Sequence, residues 1–416
     1  MLTKISIQGF KSIYDISELE LGLVNVFIGA NGSGKSNLLE AIGVLGAAIE
    51  ESVEAKSLLE RGVRYGNPAL FKASLKDVVD KPLIQFNAQV QDKGVWHGYE
   101  LHLNNSIENP SERWIYEMEK TWQGEEEWLS RTRNEARLRF PNASGFRMQN
   151  IKHDSSMAGY SLRSSSNMYD SAIIDLYRSL SEYVIFAPTT PVLRGIQPDM
   201  YQRDPIGIFG GRLAEAVEEL LAVEDGDGLL GTMDLDEVFD LLDWVDTFEI
   251  TSPSKELVSA NVPTVRTIIK FHDYWMNGGR NVLSGYDASE GALYVLFMLV
   301  LALHPRTPRF FAVDNFDQAL NPRLAQALTR KFCELILHAK SPRQVLLTTH
   351  NPLVLDGLNL TDDRIRLFAI DRNRGTGGAT HVKRIQVSEE IINANQDGLS
   401  LSNLWTMGRL GAVPNI

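Results

Sequence analysis

Short apolar runs predict strands at the start of this chain, and apolar residues at helical spacing predict a helix directly after them. Residues 2–28 are predicted to form a small β-unit that ends in the apolar strand 25–28. From residue 37 onward, apolar side chains recur at helical spacing, which predicts a helix to about Glu60. A strand that leads into a helix in this way is typical of an α/β protein.

The segment 63–170 has a different pattern. Stretches such as 83–90 and 98–103 alternate apolar and polar residues, which predicts antiparallel strands. The serine-rich stretch Ser161 to Asn167 predicts a mobile loop. We interpret 63–170 as an inserted β-rich subdomain, and because no heptad repeat runs through it, we expect no long coiled coil.

The α/β pattern returns after this insert. A helix at about 171–182 precedes the apolar strand 183–187, and acidic helices are predicted at 213–223 and 234–248, around a Gly/Asp-rich break at 224–228. Further strands are predicted at 264–271, 310–314, 344–349, 365–371 and 380–385.

A glycine-rich loop lies between the strand 25–28 and the helix that follows it. Gly29 to Ser36 matches the phosphate-loop pattern G-x-x-x-x-G-K-[ST] at every required position. Glycines let backbone N–H groups turn toward a phosphate, and the helix N-terminus adds the positive end of its dipole. Lys35 would reach the β- and γ-phosphates, and the Ser36 hydroxyl would ligate Mg²⁺. A chance match in a glycine-rich turn is the alternative, and the strand–loop–helix context argues against it. The predicted binding residues are Gly29, Asn31, Gly32, Ser33, Gly34, Lys35, Ser36 and Asn37.

Composition narrows the class of protein. The chain has 416 residues, 44% hydrophobic and 23% charged, which is ordinary for a soluble globular protein of more than one domain. A net charge of −12 means that any nucleic-acid contact would come from a local basic patch. The single cysteine, Cys333, rules out an internal disulfide and suits a reducing cytoplasm. No signal segment is visible, and the apolar run 292–303 is too short to cross a bilayer, so we expect a cytoplasmic protein without a membrane partner.

Two later strands are predicted to carry polar residues at their ends. The apolar run 310–313 ends in Asp314, and the run 344–349 is followed by His350. Neighbouring parallel strands would present both side chains at the edge where open α/β sheets bind ligands. Beside a phosphate loop, Asp314 is the expected Mg²⁺ partner, either as a direct ligand or from the second coordination sphere, and His350 is expected near the γ-phosphate or the attacking water.

Ser289, Glu290 and Gly291 precede the apolar helix 292–303. A serine and a glycine at a helix start can form an anion-binding N-terminus. A plain helix cap is the alternative, and the residues taken alone favour it.

In order along the chain, these pieces resemble the ABC-type ATPase heads of the RecF, SMC and OLD (overcoming lysogenisation defect) group. The similar segments are Ile5 to Ser12 (first strand and turn), Gly29 to Asn37 (phosphate loop), Ser289 to Gly291 (signature), Asp314 (Walker B), Asn321-Pro322 (D-loop region) and Thr349 to Pro352 (switch histidine). The resemblance covers roughly residues 1–50 and 180–385 and leaves the 63–170 insert unexplained.

The resemblance implies an α/β fold, an ABC-type P-loop ATPase head with mixed β-sheets, the β-rich insert and an α-helical lobe. It implies a homodimer or higher homo-oligomer around two ATP molecules, each held between the phosphate loop of one copy and Ser289 and Gly291 of the other. ATP and Mg²⁺ are the implied cofactors. The predicted domains are 1–62 (head with phosphate loop), 63–170 (insert), 171–261 (helical lobe with a head strand at 183–187), 262–385 (head with signature, Walker B and switch histidine) and 386–416 (tail).

The sequence departs from this family at the residue after Asp314. The family usually carries a catalytic glutamate there, and this chain has Asn315. An amide orients water but accepts no proton, so we expect slow hydrolysis unless Asp317 or His350 compensates. The catalytic residues are therefore predicted to be Asp314, Asn315 and His350.

Other positions stay open. Lys11 and Arg194 are candidates for phosphate contact. Gln85 and Gln89 lie in an alternating strand, and neither is assigned as the glutamine of the family's Q-loop.

OLD-type proteins carry a TOPRIM nuclease after the head, and the 66 residues beyond His350 are too few for that domain. Our first hypothesis is therefore an ATPase that senses a signal and scaffolds a separate effector, a nuclease or toxin, in anti-phage defence. The apolar tail residues Leu401, Leu404, Trp405 and Leu410 are either packed on the head or available to that effector.

The alternative hypothesis is a RecF-like ATP-dependent DNA clamp in repair. It depends on Arg131, Arg133, Arg137 and Arg139, which would follow phosphates or form a solvated face with Glu135. A metabolic kinase fits poorly because the residues at 289–291 and 349–350 would have no role.

Overall fold

The computed structural model describes residues 1–106, 108, 110–111, 113–139, 146–149, 151–165, 169–222, 235–259, 261–262, 266–386 and 399–412. The strands are β1 (Lys4–Phe10), β2 (Ile13–Glu20), β3 (Val24–Ile28), β4 (Ile84–Asp92), β5 (Val95–Asn104), β6 (Ile115–Gln123), β7 (Glu126–Thr132), β8 (Glu135–Leu138), β9 (Phe146–Gln149), β10 (Val184–Phe186), β11 (Val245–Thr251), β12 (Ile268–Asp273), β13 (Val282–Ser284), β14 (Phe310–Val313), β15 (Gln344–Thr349), β16 (Ile365–Asn373) and β17 (Ala379–Ile385).

The helices are α1 (Lys35–Glu50), α2 (Ala55–Leu59), α3 (Met157–Ser165), α4 (Ser171–Ser181), α5 (Thr190–Leu193), α6 (Leu213–Leu221), α7 (Leu235–Leu241), α8 (Glu290–Leu303), α9 (Pro322–Leu337) and α10 (Leu401–Thr406). Short 3₁₀ turns occupy Pro68–Phe71, Pro352–Gly357 and Arg374–Thr376. None of the described helices is long and apolar enough to cross a bilayer.

A six-stranded sheet organises the head, in the order β10-β14-β15-β3-β16-β17. Its strands pair in parallel except β17, which is antiparallel to β16. Both faces are covered, as is usual for parallel strands. Val26 and Leu347 pack toward the core that includes α8 and α9, whereas Phe27 and Leu346 pack toward the core that includes α1 and α4.

An eight-stranded antiparallel sheet contains the strands of the predicted insert, in the order β2-β1-β4-β5-β6-β7-β8-β9. The prediction of antiparallel strands at 83–90 and 98–103 is confirmed. Because β4 pairs directly with β1, these strands extend the sheet that the first hairpin of the head begins.

Two predictions around this sheet are wrong in detail. The first helix ends at Glu50 and not near Glu60, because the segment before α3 packs against its C-terminal end. There the Ser156 N–H donates to the Glu51 carbonyl at 2.8 Å. Residues 161–165, predicted as a mobile loop, belong to the helix α3, and 166–167 lie outside the described residues.

A three-stranded sheet, β11-β12-β13, forms the second lobe with α6 and α7. The predicted helix 234–248 is wrong beyond Leu241, because Trp244 and Phe248 pack their rings on Phe271 of β12 and the chain becomes a strand. β12 begins at Ile268, later than the predicted start at 264. Residues 224–228, predicted as a break, lie outside the described part of the chain.

The apolar tail packs on the head, which confirms that alternative for Leu404, Trp405 and Leu410. The N–H of Ser402 donates to the Asp356 carboxylate at 2.9 Å, and its hydroxyl donates to the same group at 2.6 Å. Asp356 belongs to the 3₁₀ turn that follows β15, so α10 braces the segment after His350.

Candidate nucleotide site

The phosphate loop connects the C-terminal end of β3 to α1. Gly34 has a φ of +109°, and a Cβ there would lie 2.1 Å from Oγ1 of Thr380. This position therefore requires glycine. The Thr380 hydroxyl of β17 donates to the Ser33 carbonyl at 3.0 Å, and the Asn37 amide donates to the Ser12 hydroxyl of the first hairpin at 2.7 Å. These two elements therefore fix the position of the loop.

Polar groups line the loop. The buried ammonium of Lys35 donates to the carbonyls of Gly29 (2.7 Å) and Ala30 (3.0 Å). Burial lowers the pKa of Lys35, while the carboxylates of Asp314 and Asp317 act in the opposite direction. The Ser33 hydroxyl is buried and has no hydrogen-bond partner among the described residues.

Residues that are far apart in sequence meet at the end of β14. The Ser36 hydroxyl donates to Oδ2 of Asp314 at 2.9 Å, and the Thr348 hydroxyl donates to the other carboxylate oxygen. This contact joins the two predicted Mg²⁺ ligands. A hydroxyl and a carboxylate with free lone pairs are the hard oxygen donors that Mg²⁺ prefers, so these residues fit the ion.

The predicted catalytic residues follow β14 and β15, which are neighbours as expected. Asn315 is exposed at a φ of +58°, and its N–H donates to the Thr348 hydroxyl at 2.8 Å. Nε2 of the half-exposed His350 lies 3.5 Å from Oδ2 of Asp317. The Thr349 hydroxyl donates to Oδ1 of Asp317 at 2.7 Å. The structure thus pairs the buried Asp317 with His350, close to the turn that carries Asn315.

Ser289 caps the helix α8 and is exposed. Its Oγ accepts hydrogen bonds from the N–H of Ala292 and from the indole N–H of Trp244, each at 3.2 Å. The Glu290 carboxylate accepts from the Thr190 hydroxyl. Neither Trp244 nor Thr190 was predicted, because both lie in segments far from the motif and carry no pattern of their own.

A Cβ on Gly291 would lie 3.3 Å from the Ala319 carbonyl, so the signature glycine faces the turn that follows Asp314. No described hydrogen bond or ion pair joins residues 289–291 to the loop 29–36.

Two candidate phosphate ligands have other partners. The Arg194 guanidinium donates to the carbonyls of Tyr286 (2.8 Å) and Ala288 (3.0 Å), so it supports the signature loop. Lys11 forms an ion pair with the buried Glu40, which Arg64 also contacts. Both side chains are therefore engaged by other groups of their own chain in this structure.

Gln85 and Gln89 both lie in β4 of the eight-stranded sheet, where Gln89 donates to Asn87 at 3.0 Å. This placement assigns neither residue to the nucleotide site.

The predicted arginine cluster divides into buried and exposed members. Arg131 is fully buried, paired with Glu119 at 3.2 Å and bonded to the carbonyls of Lys152 and Ser155. Arg133, Arg137 and Arg139 are exposed. Since Arg131 is enclosed in the protein, the idea that these four residues together follow a phosphate backbone is wrong for that residue.

A family model described as "AAA domain, putative AbiEii toxin, Type IV TA system" matches residues 24–356. No curated protein matches this chain. An SmcHead solved bound to the C-winged helix domain of ScpA aligns with a TM-score of 0.51 at 12% identity, covering 94% of this chain and 99% of that chain. The SMC head domain from Thermotoga maritima aligns at 13% identity with a TM-score of 0.41, covering 93% and 99%.

The first of these structures supports the fold alone. It confirms the predicted resemblance to ABC-type, SMC-like heads and the predicted α/β fold. The family match extends over most of the chain. This protein belongs to the AAA-domain family with the AbiEii-type description and has the fold of an SMC-like ATPase head.

Proposed function

We propose that this protein binds ATP with Mg²⁺ at the loop 29–36, dimerises on it and hydrolyses it slowly. The observation that carries the proposal is the hydrogen bond between Ser36 and Asp314, because it brings together two oxygen ligands that are 278 positions apart. Lys35 beside them supplies the positive charge that phosphates require. When bound, Mg²⁺ would neutralise charge on the phosphates while Ser36 and Asp314 hold it.

The second half of the site is proposed to come from another copy of the chain. Ser289 is exposed, and its bonds are to Ala292 and Trp244 and not to the loop 29–36. A nucleotide held by one copy would receive the Ser289 hydroxyl of the other. Because two copies offer two such pairs, ATP would close a symmetric homodimer.

Slow turnover follows from Asn315. Its amide orients water without accepting a proton, whereas the imidazole of His350, which follows β15 and lies beside Asp317, can accept one. We propose that His350 takes the proton inefficiently, so that the ATP-bound dimer is long-lived.

We further propose that the dimer senses a signal and controls a separate effector, a nuclease or toxin, in anti-phage defence. The family description names a toxin of a type IV system, and the SmcHead was solved bound to ScpA, a second protein. These names support a head that acts through a partner. The alternative, a DNA clamp, loses Arg131 as a phosphate contact.

Light scattering after size exclusion tests the dimer. With Mg²⁺ and ATP, we expect a mass twice the 46.5 kDa of the chain. Ser289→Arg should remain monomeric and still bind ATP, because the change blocks only the contribution to a partner. Lys35→Ala should remain monomeric at ATP concentrations that saturate the wild type, because it binds ATP much more weakly.

A mixture of the two variants separates a shared site from a site within one chain. The Ser289→Arg copy supplies an intact phosphate loop, and the Lys35→Ala copy supplies an intact Ser289, so one complete site forms in the heterodimer. We expect the mixture to dimerise with ATP. A mixture that stays monomeric while the wild type dimerises would contradict the shared site.

Co-purification tests the effector. The product of the adjacent reading frame, tagged and expressed with this chain, should be retained by the wild type with ATP and lost with Lys35→Ala. Equal retention by both proteins, or the absence of any nuclease or toxin among adjacent products, argues against control through ATP.

A further inference from the structure

Two hydrogen-bond donors converge on the hydroxyl oxygen of Ser289. The N–H of Ala292 and the indole N–H of Trp244 each lie 3.2 Å from it. An indole N–H can only donate, so the direction of that bond is fixed. A hydroxyl oxygen has two lone pairs, and both are engaged here. The Ser289 hydroxyl can therefore still donate one hydrogen bond, and its side chain is exposed.

The second lobe fixes the position of this indole. Trp244 immediately precedes β11, and its carbonyl accepts from the N–H of Tyr274 at 2.9 Å. Its ring packs on Phe271 of β12, with centroids 5.6 Å apart. The three-stranded sheet therefore holds the tryptophan in place before any partner arrives.

We propose that Trp244 is a positioning residue that directs the Ser289 hydroxyl hydrogen outward, to a phosphate oxygen of the nucleotide carried by a second copy. This inference rests on the proposed function. Because both lone pairs accept hydrogen bonds, the hydroxyl cannot turn its oxygen toward the phosphate. In that orientation the partial negative charge of the Ser289 oxygen would repel the negative phosphate oxygen. Without the indole donor, the hydroxyl samples other orientations, and the dimer contact weakens.

Trp244→Phe tests this role, because phenylalanine keeps an aromatic ring over Phe271 and removes only the N–H. We expect the ATP-dependent dimer dissociation constant to rise about 10- to 100-fold, because the symmetric dimer loses the value of about one net hydrogen bond at each of its two sites. Binding of a fluorescent ATP analogue to the dilute monomer should stay unchanged. Trp275→Phe is the matched control, since that side chain is 77% exposed at the adjacent turn and makes no described bond to Ser289. It should dimerise like the wild type.

A double-mutant cycle separates positioning from a structural effect. In a Ser289→Ala background, Trp244→Phe should add no further loss, because its target is gone. A loss of the same size in both backgrounds, or wild-type dimerisation by Trp244→Phe, would overturn the positioning role while leaving the dimer intact. A wild type that stays monomeric with ATP overturns the proposed function itself.

Discussion

Two polar networks in this molecule look similar in composition and differ in how completely they are satisfied. The glutamate network lies inside the eight-stranded sheet around Glu119. Its carboxylate accepts from Tyr99 (2.7 Å), Ser156 (2.7 Å) and Arg131 (3.2 Å), and from the N–H groups of Met157 and Ala158. All the lone pairs of this buried carboxylate are used.

The phosphate-edge network lies at the end of the six-stranded sheet around Asp314. Its carboxylate accepts from the hydroxyls of Ser36 and Thr348 and is partly exposed. Lone pairs remain, and the Lys35 ammonium lies close by. A saturated network holds the fold together, whereas an unsaturated one keeps hydrogen-bonding capacity for a ligand.

The largest expected effect is on ligand binding. Lys35→Ala should weaken ATP binding about 1,000-fold, because it removes charge-assisted bonds to the phosphates. The free energy of unfolding should stay the same or rise, since a buried ammonium is removed. Isothermal titration and urea unfolding measure the two quantities. Lys56→Ala, on an exposed side chain, serves as the control. Stability that falls together with binding would make this network structural.

Glu119→Gln should give the opposite result, a loss of stability without a loss of ATP affinity. It leaves Arg131 as a buried charge without its carboxylate, which typically costs about 3–5 kcal/mol of stability. ATP affinity of the folded protein should not change. Urea unfolding tests this against Glu135→Gln, whose exposed pair with Arg137 lies in the same sheet and should contribute less than about 1 kcal/mol. Equal effects of the two changes would contradict the comparison.

This difference marks the limit of what the sequence could predict. The phosphate loop, Asp314 and His350 were predictable because each follows an apolar strand, and the parallel order of those strands brought them to one edge. Arg131 looks like its neighbours in sequence, and only its burial against Glu119 removes it from the surface. Trp244 was missed because the propensity for helix at 234–248 gave way to packing on Phe271.

A smaller effect is expected at Asn315, on turnover. Asn315→Glu introduces a carboxylate beside Asp314 and should raise ATP hydrolysis at least about 10-fold, given that a general base contributes roughly 10²–10⁴-fold. Asn315→Gln is the matched control, with the same chain length and no base, and should stay slow. Because Asn315 has a φ of +58°, a conformation that asparagine tolerates better than glutamate or glutamine, both variants should lose about 1 kcal/mol of stability. Fast wild-type hydrolysis that neither change alters would refute the role of Asn315.

Lys11 shares features of both networks, since it is paired with a carboxylate and was also a candidate phosphate ligand. The smallest change, in stability, is expected from its substitution. Its ammonium is paired with the buried Glu40, yet burial lowers its pKa below the ordinary 10.5. A lysine with a lowered native pKa loses its proton earlier in the folded state than in the unfolded state, so the unfolded state binds more protons and stability rises with pH. Lys11→Met removes this dependence.

The wild type should therefore gain stability relative to Lys11→Met as the pH rises from neutral toward 10.5, the ordinary pKa of lysine. Urea midpoints of the two proteins across this range measure the gain. ATP affinity should differ less than about 3-fold, because the Lys11 charge is used by Glu40. A large loss of ATP affinity in Lys11→Met, with no pH-dependent difference in stability, would instead show that Lys11 contacts the phosphates. The first hairpin, which carries Lys11, would then contribute to the nucleotide site.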